Sequence, residues 1–368
     1  MFSSFSKSFS FGRRSVGETV SYLITTSSDV VQEGEQLTVT LTTVGVPNGT
    51  NIPFTITGVT SEDIDGFPLT GNFFILSNTA SFVVTITQDF NTESETFTIS
   101  LDGLSVSKSV TLEDLWLPSN VSPAAWFDAS DESNYSVTGS EVTEVIDKVG
   151  NFTMSMPGEK PTENTGGLNG LNVWDFTGGA YIISENSGPY CSSGNHWAVG
   201  VFKWDIVNND RDSFWSAAGT RTYAVSSSNS SNSWPGEIDY DNSNEIVTGV
   251  GRNLFFNSIG GSTWVIVSII FNKTGNQIFG QINGTRSTGI DAYNASMDTN
   301  CDDLRMMRNR GTRKLDGSMA EYFHVADIPG TGGTDISDVQ KAEGYLAHKW
   351  GLTGSLPSGH PYKNIAPK

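Results

Sequence analysis

The stretch Trp234-Pro-Gly-Glu-Ile-Asp-Tyr-Asp241 carries three carboxylates at alternate positions, Glu237, Asp239 and Asp241. On a strand, alternate residues share a face, so all three would meet one ligand. Carboxylates held about 5 to 9 Å apart can cleave a glycosidic bond. The same oxygen ligands can hold a hard cation such as calcium. Trp234 and Tyr240 add aromatic surface on which a sugar ring can stack. Trp204 and Trp215 join this set, because they stand outside the strand and helix patterns that hold Trp126, Trp174, Trp264 and Trp350. The candidate glycan-binding residues are therefore Trp204, Trp215, Trp234, Asp239, Tyr240 and Asp241. The segment from Ser226 to Asn244 is rich in Ser and Asn, so a solvated loop is the plain alternative.

Other chemistry is sparse. The four histidines, His196, His324, His348 and His360, form no metal-binding spacing. There is no Gly-x-Ser-x-Gly elbow and no phosphate-binding loop. The expectation is a protein that is not an enzyme and requires no cofactor. Cys191 and Cys301 are too few for a disulfide framework, and whether they pair stays open. Arg305, Arg308, Arg310, Arg313 and Lys314 form a basic cluster. It is either a charged loop or a contact with an acidic neighbour, such as a second copy of this chain.

The formal net charge of -19 argues against nucleic acid as a partner. No stretch approaches the ~20 apolar residues of a membrane-spanning helix. The longest apolar run, Trp264 to Phe271, is broken by Ser268 and reads as a buried strand. Gly, Ser, Thr and Asn outweigh the helix formers, which points to strands and turns.

From residue 18 to 112 the apolar residues alternate in short runs. Examples are Gln36–Val44, Ser81–Thr87 and Thr96–Leu101. This fits a small immunoglobulin-like sandwich. The segment 112–118 (LEDLWLP) is the expected seam. Residues 113–368 again favour strands. The run Trp264 to Phe271 is apolar on both faces, and Gln277–Gly284 returns as its hairpin partner ending on Asn-Gly. One helix stands out. Ser337 and Gln340 have the form of a capping box, Val339, Ala342, Leu346 and Trp350 make one apolar face, and Gly351 supplies the stop.

Two resemblances follow from quoted strings. Val31-Gln-Glu-Gly-Glu, followed by Thr87-Gln-Asp-Phe-Asn-Thr-Glu-Ser-Glu-Thr-Phe, resembles the Calx-beta module. That resemblance implies a calcium site at Glu33, Asp63, Asp65, Asp89, Glu93 and Glu95. The pattern departs from the family, whose two glutamates sit three apart where Glu93 and Glu95 sit two apart. The second region is similar to the LamG-like jelly roll of the concanavalin A-like lectin and glucanase superfamily. Its strings are Ala125-Trp-Phe-Asp-Ala-Ser-Asp131, Gly170-Leu-Asn-Val-Trp-Asp-Phe, Leu315-Asp-Gly-Ser-Met-Ala-Glu-Tyr-Phe-His-Val325, and Glu343 to Leu352 with Leu356 to Tyr362. The resemblance implies an all-β chain: a small sandwich, then a larger jelly roll with one C-terminal helix. Similar strings end such domains in bacterial surface proteins and in structural proteins of tailed phages.

Residues 1–17 form an arm unlike the rest. Phe2, Phe5, Phe9 and Phe11 are interleaved with serines, and Lys7, Arg13 and Arg14 are its charges. No apolar core of a secretory signal is present in it. The phenylalanines suit pockets of a partner, and the cations suit an acidic one. The expectation is a virion structural protein of a tailed phage: a capsid decoration protein, head fibre or tail appendage. The arm anchors it to other virion proteins, the jelly roll projects from the virion surface to host polysaccharide, and avidity favours a homo-oligomer. The alternatives left open are a secreted or cell-surface bacterial lectin or adhesin, and a glycan hydrolase.

Overall fold

The computed structural model describes residues 19–87, 95–185, 195–206, 213–219, 222–227, 233–234, 236–241, 259–260, 262–272, 277–286, 301–308, 315–326 and 337–368. The chain divides into two compact units, residues 1–115 and 116–368, so the division falls inside the LEDLWLP segment.

The first unit is a sandwich of a three-stranded and a five-stranded sheet. The three-stranded sheet runs in the spatial order Ser21–Thr26, Gln36–Val44, Thr79–Thr85. Its central strand shows why the sequence folds this way. Leu37, Val39 and Leu41 are fully buried, while Thr38, Thr40 and Thr42 alternate with them on the other face. The second sheet orders Val30–Gln32, Ser107–Glu113, Glu95–Leu101, Asn51–Thr57 and Thr70–Phe74. Phe97, Ile99 and Leu101 bury its inner face. Phe54, Phe67, Phe73 and Phe82 close one part of the core with ring centroids 4.9 to 5.2 Å apart, a spacing typical of attractive aromatic pairs.

The second unit is a larger sandwich. One sheet has ten strands. In spatial order these are Tyr135–Thr138, Glu141–Val145, Thr162–Leu168, Leu171–Phe176, Asp316–Ala326, His196–Ile206, Val265–Asn272, Gln277–Ile282 and Thr285–Arg286. The tenth, Ala125–Asp128, pairs with the far half of Asp316–Ala326. The hairpin turn between Gln277–Ile282 and Thr285–Arg286 is Asn283-Gly284, both at positive φ. That is the geometry a two-residue hairpin prefers.

The opposing sheet has six strands: Met154–Ser155, Ile182–Ser184, Cys301–Met306, Ser213–Gly219, Thr222–Ser227 and Gly236–Asp241. Between the sheets lie Trp174, Phe176, Phe202, Trp204, Phe214, Trp215, Leu304, Met306 and Tyr322. The helix Ser337–Lys349 packs on the back of the larger sheet, against His196–Ile206 and Val265–Asn272. This explains the central strand Asp316–Ala326, in which nine consecutive residues are buried. A strand covered on both faces loses its alternation. Gly317 begins that run because a Cβ there would stand 2.1 Å from the backbone oxygen of Lys203.

The apolar face and the C-terminal stop of the helix match the sequence expectation. Val339, Ala342, Leu346 and Trp350 are all fully buried. Gly351 takes φ +70°, and the Leu352 amide donates to the Ala347 carbonyl at 2.7 Å. This is a Schellman stop, which satisfies carbonyls the helix end would leave bare. Asn169 adds a side-chain donor to the Lys349 carbonyl at 2.8 Å.

Candidate functional site

Antiparallel residues that stand directly opposite each other share a face. Across the six-stranded sheet the register runs Ser155, Ile183, Arg305, Ser216, Ala224, Asp239. Arg305 lies between Leu304 and Met306, both fully buried in the core, so its row belongs to the outer face. By backbone register Asp239 stands in the same row as Arg305, and Glu237 and Asp241 follow it at period two along the strand. Residues Gly236–Asp241 form the strand at one end of this sheet, in line with the strand reading and not with the loop given as its alternative. Strands repeat at about 4.8 Å, so Arg305 and Asp239, three strands apart, are separated by about 14 Å.

By backbone register Tyr240 stands opposite Tyr223, which pairs near Ala217, itself opposite Leu304. Trp204 and Trp215 are corrections. Both are buried in the core, at 1% and 2% exposure. Trp204 packs near Phe214 at 5.9 Å, and Trp215 stacks on Phe202 at 5.5 Å. Neither can meet a sugar. A register shift between Ser213 and Ser216 lets the consecutive residues Phe214 and Trp215 enter the same core. Trp234 pairs with Ile259 in a two-stranded ribbon.

Arg305 donates from Nε and Nη2 to the two oxygens of Asp303, each at 2.8 Å. The pair is bidentate and lies along one face, two residues apart. It uses two of the five guanidinium N–H donors and half the lone pairs of the carboxylate. What remains is a neutral pair with donors and acceptors side by side, suited to hydroxyl groups rather than to an anion. Arg308 lies 3.9 Å over the ring of Tyr181. Of the basic cluster, Arg305 is thus neutralised within its own strand. Arg310, Arg313 and Lys314 lie outside the described residues, as do Cys191 and all seven arm residues Phe2, Phe5, Lys7, Phe9, Phe11, Arg13 and Arg14.

In the first unit, backbone bonds draw the turns of three acidic candidates to one end. Gly34 donates to Ile86 at 2.9 Å, and Thr87 donates to Asp63 at 2.8 Å. Asp65 donates to the Thr87 hydroxyl at 3.0 Å. The Asp63 carboxylate, however, already accepts from the Thr60 amide, and Glu33 is buried. Glu95 opens a strand, and Asp89 and Glu93 lie outside the described residues. Among the described residues no group of three or more His, Cys, Asp or Glu is arranged to hold a metal ion.

Among the described residues, a dense polar cluster was not expected from sequence. Lys349 Nζ lies 2.7 Å from Asp128 Oδ2 and 2.9 Å from Glu321 Oε2. Trp126 Nε1 and Tyr345 OH donate to Glu321 Oε1 at 2.8 and 3.0 Å. Trp350 Nε1 donates to Oε2 at 2.9 Å. Lys148 bridges Asp131 at 2.6 Å and Asp128 at 3.5 Å, with its Nζ 4.2 Å over the Trp126 ring. Burial pushes Glu321 upward, and the Asp128 charge adds to this. Burial pushes Asp128 upward too, but Lys349 and Lys148 outweigh it and hold the carboxyl below its usual value. Burial opposes charge on Lys349, but Glu321 and Asp128 outweigh it and raise its affinity for a proton. The signal in the sequence was a charged residue inside an otherwise apolar run: Asp128 after Trp-Phe, and Glu321 between Met-Ala and Tyr-Phe.

No protein family and no curated protein matches the chain. Solved structures do, at low similarity. Domain 4 of AbnA, a GH43 extracellular arabinanase from Geobacillus stearothermophilus in complex with arabinotriose, aligns over 56% of this chain and 92% of its own. Its identity is 11% and its TM-score 0.38. The binding domain of botulinum neurotoxin DC, in complex with rat synaptotagmin II, aligns over 62% of this chain and 52% of its own, at 12% identity and a TM-score of 0.42. A structure of botulinum neurotoxin type C, whose cell entry is dependent upon interaction with two ganglioside molecules, gives 62%, 52%, 12% and 0.38 in the same order. The chain spans about half the length of these toxin structures. Likeness of this degree fixes neither ligand nor activity.

Proposed function

We propose that the chain is a non-catalytic attachment protein of a virion. Residues 1–17 hold it to another particle protein, and the outer face of the six-stranded sheet receives a hydroxyl-rich polysaccharide of the host surface. The observation that carries the binding half is the neutral, bidentate Arg305–Asp303 pair, whose residues alternate with the core residues Leu304 and Met306 and so lie on the outer side of the six-stranded sheet. A surface of donors and acceptors with little net charge at its centre matches sugar hydroxyls. The buried carboxylates Asp128 and Glu321 are sealed in an ionic network and serve the fold.

Two measurements test this. Wild-type protein and Arg305→Ala are titrated against host-surface polysaccharide, with binding expected to fall by at least tenfold in the variant. Equal binding by both, with polysaccharide bound, moves the site elsewhere on the chain. Full-length protein and a version lacking residues 1–17 are then sedimented with particles stripped of the protein. Only the full-length chain should co-sediment. If neither does, the virion reading fails and a free lectin or adhesin takes its place.

A further inference from the structure

Three side chains from distant parts of the second unit meet in a sealed site. Asp128 ends a strand, Glu321 is its cross-strand partner, and Lys349 is the last residue of the helix. Their side chains are 4%, 0% and 5% exposed. Both oxygens of Glu321 are fixed by Trp126, Tyr345 and Trp350. A carboxylate and an amine in contact, held in a dry aromatic box beside a second carboxyl, are arranged for condensation rather than only for attraction. Holding reactants in one geometry replaces a bimolecular encounter, and excluding water removes the solvation that stabilises the separated ions.

We propose that Lys349 and Asp128 join in an intramolecular amide bond, formed by the folded chain itself, with Glu321 relaying the proton. Lys349 enters as an ammonium and Asp128 as a carboxylate. One proton passes from Nζ to Glu321. The freed amine lone pair attacks Cγ of Asp128 and the C–N bond forms. Glu321 returns its proton to one carboxylate oxygen of Asp128, and a second proton leaves Nζ for the same oxygen. The C–O bond breaks, that oxygen departs as water, and Glu321 ends as it began. Nothing is oxidised or reduced, and no co-reactant is needed. Burial and the Asp128 charge push the Glu321 carboxyl upward, which suits a group that must take a proton in passing. Lys148 also touches Asp128, at 3.5 Å, but it is 19% exposed and nearer to Asp131, so it is not the amine that reacts. The bond would tie positions 221 residues apart, pinning the helix end to the strand that opens the sandwich. This inference does not depend on what the outer face binds.

The test is the intact mass of purified full-length protein, followed by proteolytic mapping. The wild-type chain should be lighter than its sequence by one water. Digestion should yield a linked pair of peptides containing residues 128 and 349, with no tryptic cleavage after Lys349. Lys349→Arg and Glu321→Gln should carry the full mass, and Lys148→Arg should keep the loss. A wild-type chain of full mass that is cut after Lys349 overturns the proposal. So does a water loss mapped to any other pair, or one abolished by Lys148→Arg. Should the Lys349 and Glu321 variants fail to fold, peptide mapping of the wild-type chain alone decides.

Discussion

Removing an indole separates packing from recognition. Trp204 and Trp215 are core residues, so Trp204→Ala should lower stability by about 3 to 5 kcal/mol. Denaturant unfolding checks this, and a stable variant with lost polysaccharide binding would refute the packing assignment. Asp147 makes a similar point with a charge. It is 1% exposed and accepts from the amides of Trp126, Val149, Asn151 and Phe152. Asp147→Ala would strand these donors and should cost about 1 to 3 kcal/mol or more. Asp131 carries the pH dependence at this scale. Burial raises its carboxyl, but Lys148 and Ser133 outweigh this and hold it at about 2. A carboxyl depressed in the fold stabilises the protein above its unfolded value of about 3.9. That stability is lost as the pH falls through about 2. Asp131→Asn should therefore show a smaller loss of stability over this acid range, as followed by thermal melting. Single residues were the least legible part of the sequence. Trp204 alternates with Phe202 and so could have been read as inward. Trp215 could not, because a bulge, invisible to period-two counting, puts it beside Phe214 in the core.

Elements were more legible, and for a physical reason. The strand Gln36–Val44 and the helix Ser337–Lys349 each have one wet face, so their periods of two and of about 3.6 survive in the sequence. The strand Asp316–Ala326 has no wet face, and its apolar run told of burial without telling direction. The acidic edge strand Gly236–Asp241 was legible only as one of two readings, strand or solvated loop, because its polar setting mimics a loop. The helix stop gives a sharp test. A Cβ on Gly351 would meet Asn169 Oδ1 at 2.9 Å and would sit at φ +70°. Gly351→Ala should cost about 1 to 2 kcal/mol. Asn169→Ala, which removes only the side-chain donor to Lys349, should cost about 1 kcal/mol.

At the scale of the whole molecule, charge is unevenly shared. Residues 19–115 hold twelve carboxylates against one lysine, Lys108, which is already paired with Asp29. The second unit, by contrast, is cross-braced by ion pairs at its core. Two units of this kind should melt as two transitions in calorimetry, and Lys349→Met should lower only one of them. Lys349→Met removes both the contact and the proposed bond, and a buried carboxylate left without its partner costs about 3 to 5 kcal/mol. A single transition that shifts as a whole would show that the units unfold together.

The same network also sets an order of events in translation. Asp128 and Glu321 leave the ribosome before Lys349 does, since synthesis runs from the N-terminus. The first unit can fold while the rest is still being made. The larger sandwich cannot close without burying Glu321 apart from its counter-ion Lys349, so its folding waits for the helix. A transcript cut short anywhere ahead of residue 349 would therefore yield a chain whose second half stays open and is handed to the proteases, rather than a shortened protein that competes with the complete one.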